Sequence, residues 1–302
     1  MAQTHTPSRS FGSVVTAMVT PFKEDGSIDI DAALRVATKL VDDGCDALVL
    51  SGTTGESPTT HQPEKDDLVR EVKAAVGSRA MIIAGAGSND TAHAVRIAKG
   101  AQKSGAEGLL VVAPYYNRPS QEGVYQHVVA VTEATDLPVM FYDIPGRTGV
   151  KITDKTLDRF AAHPQILAVK DATGDVPGGF EKMNRTGLEY YSGDDALNFA
   201  WLAHGASGMV SVAGHVIASG LRALVSEVDA GDLPSARAEH AKQAPVINAI
   251  MGSGQGAVMA KEALKLMGVL DTARVRLPLV NAPAEEIAML RKVLIAEGYM
   301  EG

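Results

Sequence analysis

Eight times between residues 13 and 214, a short β-rich apolar run is followed by a stretch of helical character. No other feature limits the possible folds so strongly. The apolar runs are SVVTAMVT (13–20), ALVLSG (47–52), MIIAGAG (81–87), GLLVVAPY (108–115), PVMFYDIP (138–145), ILAVKDAT (166–173), LEYYSGDD (188–195) and GMVSVAG (208–214). Between them lie amphipathic segments such as 31–43, 64–76, 91–104 and 121–135, with apolar residues three and four apart. Glycines in DGC and SGA, just before two of the runs, mark helix ends. Eight such units predict an α/β protein, a closed (β/α)8 TIM barrel, which typically needs about 250 residues. An open doubly wound sheet is the alternative, and the regular eightfold alternation favours closure. Strand patterns stop near residue 230, and three helical patterns follow at 233–251, 255–268 and 284–297. The expected organisation is therefore a barrel over 1–230 that carries the active site, with a C-terminal helical extension over 231–302.

The 302 residues carry a net charge of -8, which disfavours a nucleic-acid or anionic-membrane binder, since both want a basic face. A single cysteine, Cys45, cannot form an intrachain disulfide and fits a reducing compartment. The start of the chain, MAQTHTPSRSFGS, lacks the apolar core of a secretory signal. No Asp, Glu, Lys or Arg occurs between Asp195 and Arg222, a stretch long enough to suggest a membrane span. Asn198, two histidines and four glycines inside it instead predict helix, turn, strand and helix. A soluble, cytoplasmic protein without membrane or nucleic-acid partners is expected.

In a barrel of this kind, reactive groups project from the carboxyl ends of the strands. Lys170 is the only Lys or Arg in the apolar runs before their final loops. A strand-end lysine ordinarily snorkels to solvent or pairs with a neighbour such as Asp171. Here it follows an apolar run on the functional rim. Desolvation disfavours an ammonium, and a pKa near 8 would leave roughly one amine in ten neutral at pH 7. A neutral amine attacks a ketone and forms a Schiff base. Tyr142 ends the adjacent run and offers a phenol for proton relay. Thr53 and Thr54 occupy a glycine-flanked turn suited to a small carboxylate, although an ordinary N-cap is the plainer reading. Arg147 offers a bidentate fork for a second carboxylate.

Other motifs carry less. GAGSND (85–90) lacks the last glycine of a dinucleotide fingerprint. GSGQG (252–256) reads as a turn or close-packing segment between helices. The eight histidines form no H-E-x-x-H or Cys/His cluster, so no metal is expected. Asp194 and Asp195 read as a strand-end turn and helix N-cap.

GTTGES (52–57), APYYNRPSQEGVYQH (113–127), YDIPGRTG (142–149), AVKDATGD (168–175), SGDDA (192–196) and RLPLVNAPAEE (276–286) together resemble the dihydrodipicolinate synthase family, pyruvate-dependent barrels of class I aldolase type. The resemblance covers nearly the whole chain. It implies a homotetramer that condenses pyruvate with L-aspartate 4-semialdehyde in lysine and diaminopimelate biosynthesis. No cofactor is implied beyond the covalent Schiff base of Lys170 with pyruvate. By motif position Lys170 is the nucleophile and Tyr142 the acid/base tyrosine. Thr53 links Tyr142 to Tyr116, which reaches in from a neighbouring subunit. Thr54 holds the pyruvate carboxylate and Arg147 that of the semialdehyde, with Val210 and Gly193 also in the substrate site. An N-acetylneuraminate lyase or another pyruvate-dependent aldolase of the superfamily is the alternative, disfavoured because such members usually lack the arginine. Asp143 stands where Asn is common and Asp171 where Glu is common. Ser57, Asn89 and Tyr115 match the allosteric lysine site of feedback-inhibited relatives, but Gln62, Lys65 and His93 depart from it. A cation at 65 and a lost carboxylate at 93 predict weak or absent inhibition by L-lysine.

Overall fold

All eight expected strands form, and each stops two or three residues before its apolar run ends. In the computed structural model, which describes residues 7–252 and 255–302, they are β1 (Val14–Ala17), β2 (Ala47–Leu50), β3 (Met81–Gly85), β4 (Gly108–Val112), β5 (Val139–Asp143), β6 (Ile166–Asp171), β7 (Glu189–Ser192) and β8 (Gly208–Ser211). Every strand pairs in parallel with the next, and β8 closes on β1. The leftover residues of each run leave the ladder and build one rim of the barrel.

The crossovers are α1 (Ile30–Asp42), α2 (Gln62–Val76), α3 (Thr91–Lys103), α4 (Gln121–Thr132), the single turn α5 (Pro145–Thr148), α6 (Asp154–Ala161), α7 (Val176–Thr186), α8 (Asn198–Ala203) and α9 (Gly214–Asp229). Several of them are capped at their starts by side chains. Asp29 accepts from the Ala32 N–H, Asp90 from Ala92 and Ser120 from Gly123. Gly44 and Gly105 follow α1 and α3 at φ +104 and +96, a conformation that side chains resist. The charge-free stretch divides into α8, β8 and α9, and no helix among the described residues is long and apolar enough to cross a membrane. The turn expected at GSGQG includes residues 253 and 254, which lie outside the described residues, as do residues 1–6 of the N-terminal segment.

Strand alternation separates two apolar clusters. Val15, Val49, Ile83, Met140, Ala168 and Val210 fill the barrel interior. Their neighbours, among them Leu48, Ile82, Phe141 and Val169, face the helices. The C-terminal helices α10 (Leu233–Met251), α11 (Gly256–Leu266) and α12 (Ala284–Ala296) join that outer cluster through Ile250, Leu264 and Leu290. This arrangement places α11 against the β2 side of the rim, where Lys261 meets Glu56.

Candidate active site

Because Ala168 points into the barrel, the period of two turns Lys170 the same way. Lys170 is 5% exposed, and its Nζ lies 4.3 Å from the centre of the Tyr142 ring, its register partner on β5. Burial pushes its pKa down to about 8, the Arg147 guanidinium adds a smaller push downward, and the Asp195 carboxylate pulls upward. A lysine with that pKa keeps a reactive neutral fraction near neutral pH. The solvent-snorkelling alternative is excluded by the burial.

Tyr142 lines a cavity of about 210 Å³ together with Thr53, Tyr115, Ile144 and Arg147. Its own burial raises the phenol to about 12, so it enters any reaction as a proton donor. Arg147, in α5, is exposed at the cavity mouth; its backbone N–H donates to the Ile144 carbonyl, and its guanidinium has no hydrogen-bond or ion-pair partner among the described residues. Thr53 is exposed, whereas Thr54 is buried and borders an adjoining cavity of about 190 Å³ that Arg147 also lines. Ser51 and Glu56 at the ends of this turn are non-glycine residues at φ +54 and +56, a strained arrangement of the kind found at functional sites. β3 has to end in Gly85 here, since a Cβ at that position would lie 2.4 Å from the Ser51 carbonyl oxygen.

Three residues of the expected set stand apart. Tyr116 is 88% exposed at φ +73 and lines neither cavity; within one chain no hydrogen bond among the described residues joins it to Thr53 or Tyr142. Val210 is buried in the barrel interior beneath the rim. Gly193 donates its N–H to the Asp171 carbonyl at 2.7 Å, and a Cβ there would meet that carbonyl at 2.8 Å.

One residue escaped the sequence reading. Asp194 behaves as expected, accepting from the Ala196 N–H to start a turn of 3-10 helix at Asp195–Leu197. Asp195 does not. It is buried, and its carboxylate accepts from the Ser211 hydroxyl, the Asn198 amide and the backbone N–H groups of Val212 and Ala213. It thereby ties the end of β7 to the end of β8 and sets a negative charge near Lys170. The signal was the SGDD doublet, but its partners lie up to 18 residues away.

The Dihydrodipicolinate synthetase family profile matches residues 10–297. The chain belongs to that family. A 4-hydroxy-tetrahydrodipicolinate synthase of Kineococcus radiotolerans is 53% identical over 97% of this chain and 95% of its own length. Among solved structures, the dihydrodipicolinate synthase of Cyanidioschyzon merolae with lysine bound superposes with a TM-score of 0.93 at 39% identity, covering 97% of this chain and all of that one. The chloride-inhibited enzyme of Acinetobacter baumannii complexed with pyruvate gives 0.92 at 34% identity, covering 96% and 100%.

The positions read in the sequence as departures from the resemblance fall in two places. Asp143 and Asp171 are register partners one residue beyond Tyr142 and Lys170, so alternation points them away from the barrel interior. Burial and the neighbouring Asp171 charge raise Asp143 to about 7. Lys65 is buried, its Nζ donates to Ser57 Oγ at 2.9 Å, and burial lowers its pKa to about 8.

Proposed function

We propose that this chain is a lyase that condenses pyruvate with L-aspartate 4-semialdehyde to 4-hydroxy-tetrahydrodipicolinate, the activity for which its curated relatives are named. The observation that carries the mechanism is the buried Lys170 amine against the Tyr142 ring, which lines a cavity together with Thr53 and Arg147. Neutral Nζ adds to the pyruvate ketone, and loss of water leaves an iminium. The Tyr142 phenol supplies the proton that lets the carbonyl oxygen depart as water. Loss of a methyl proton gives an enamine, whose carbon attacks the aldehyde of the second substrate. The amino group of that substrate then attacks the iminium carbon, closing the ring and releasing Lys170. The iminium formed on Lys170 serves as the electron sink, so the chemistry calls for no cofactor.

Thr54 and its turn hold the pyruvate carboxylate, with Gly193 and the Val210 carbonyl completing the site. The unpartnered Arg147 receives the carboxylate of the semialdehyde. Thr53 carries protons between Tyr142 and Tyr116, and the exposure of Tyr116 suits a residue contributed to a neighbouring copy. A homotetramer in the cytoplasm is the assembly and location this reading supports. The same arginine favours the synthase over an N-acetylneuraminate lyase.

Incubation with pyruvate and borohydride, followed by mass spectrometry and an assay with the semialdehyde, tests the assignment. A reduced adduct on Lys170 and turnover with the semialdehyde are expected. No adduct on Lys170 refutes the mechanism, and an adduct without turnover points to another aldehyde partner.

A further inference from the structure

A fully buried ion pair lies behind the threonine turn, outside the groups that touch substrate. Lys261 of α11 is 0% exposed, and its Nζ donates to Glu56 Oε1 and, at 2.8 Å, to the Arg274 carbonyl. The other oxygen of Glu56 accepts from the Arg276 N–H at 2.9 Å. The Phe22 ring has Lys261 Nζ 4.2 Å and the Arg276 guanidinium 4.3 Å from its centre. That guanidinium also holds the Thr59 carbonyl and Glu64. Burying two charges is costly, and an apolar pair of similar volume is often as stable. Stability alone does not account for the pair.

Its position does. Glu56 is two residues from Thr54, at φ +56, with its N–H bonded to the Thr53 carbonyl and its carbonyl accepting from the Thr59 N–H. Gly55, between them, is held through its carbonyl by the Thr20 hydroxyl at 2.7 Å. The Ser57 N–H closes the turn on the Gly52 carbonyl. The clamp of Lys261 on Glu56 thus fixes the end of the turn whose N–H is bonded back to the Thr53 carbonyl. We propose that Lys261 and Glu56 are positioning residues, through which the C-terminal helix α11 aligns Thr54 for the carboxylate of the 2-oxo acid. Displacement of about 1 Å in such a group can cost about a hundredfold in rate. The inference rests on the assignment of Thr54 to the pyruvate carboxylate.

The test uses the full chain. Single substitutions strand a buried charge, so the principal variant is the double apolar replacement Glu56→Leu with Lys261→Met. Glu56→Gln, which keeps shape and the Arg276 contact, is the second variant. Because each substrate is consumed in its own half-reaction, kcat/KM for pyruvate and for the semialdehyde are separable. The double variant is expected to melt as one cooperative unit and to lose ten- to a hundredfold in kcat/KM for pyruvate. Its kcat/KM for the semialdehyde, per borohydride-trappable site, stays within twofold. Thr54→Ala added to that background costs less than twofold more, since both act through one contact. Glu56→Gln loses three- to tenfold on pyruvate alone. Wild-type kcat/KM for pyruvate in either folded variant overturns the proposal, as does an equal fall for both substrates. If the wild-type chain itself gives no Lys170 adduct, the underlying functional reading fails instead.

Discussion

Lys170 carries its reactivity as a cost to the folded state. In the unfolded chain it holds its proton to about pH 10.5, whereas in the barrel it releases it near 8. Between those values the unfolded state binds more protons, so stability rises with pH; below 8 the burden is at its full size. A shift of this size corresponds to about 3 kcal/mol. Lys170→Met should therefore raise the unfolding free energy at pH 7 by up to about 3 kcal/mol, with the gain shrinking between pH 8 and 10.5. Urea denaturation at pH 7 and pH 10 measures it, and a variant no more stable than wild type at pH 7 contradicts the buried-amine account. For the same reason, the rate of pyruvate trapping by borohydride should climb roughly tenfold per pH unit up to about pH 8 and then level. A rate that keeps climbing tenfold per unit past pH 9 would remove the lowered pKa from the mechanism.

At the level of strands and loops, Asp195 joins two consecutive strand ends through four accepted hydrogen bonds. Asp195→Asn should cost roughly 2 kcal/mol of stability, because an amide cannot accept from all four donors. It should also move the pH profile of trapping to lower pH, since the charge that raises the Lys170 pKa is gone. An unmoved profile with a lowered melting temperature would leave Asp195 a purely structural role. Elements of this kind mark the limit of what the sequence shows. Strand β6 was legible because a lysine interrupting Ile-Leu-Ala-Val conflicts with burial unless it has chemical use. The barrel was legible because period-two and period-3.6 patterns alternate eight times. The strand ends were drawn two or three residues too long, because the apolar runs were carried on into turn-type residues such as Ser51–Gly52 and Gly193–Asp195, where the backbone has left the ladder. The Asp195 and Glu56 networks were illegible for a different reason. A carboxylate gives no local sign that its partner comes from another element, and Lys261 is 205 residues from Glu56.

For the whole molecule, the exposed Tyr116 and the buried Lys65 bear on assembly and control. With Lys65 already placing an amine against Ser57, a cationic amino acid meets like charge there. Millimolar L-lysine is expected to leave the initial rate unchanged, and a halved rate would count against the reading. Tyr116→Phe should cut turnover strongly while leaving Schiff-base formation largely intact, and wild-type turnover would take Tyr116 out of the relay. Its outward placement at φ +73 has a genetic corollary. Two dead alleles, one lacking Lys170 and one lacking Tyr116, should complement each other when their chains are unfolded together and allowed to reassemble. On the proposed assembly a mixed pair contains one pocket with both groups intact, so random pairing should restore about a quarter of the wild-type activity.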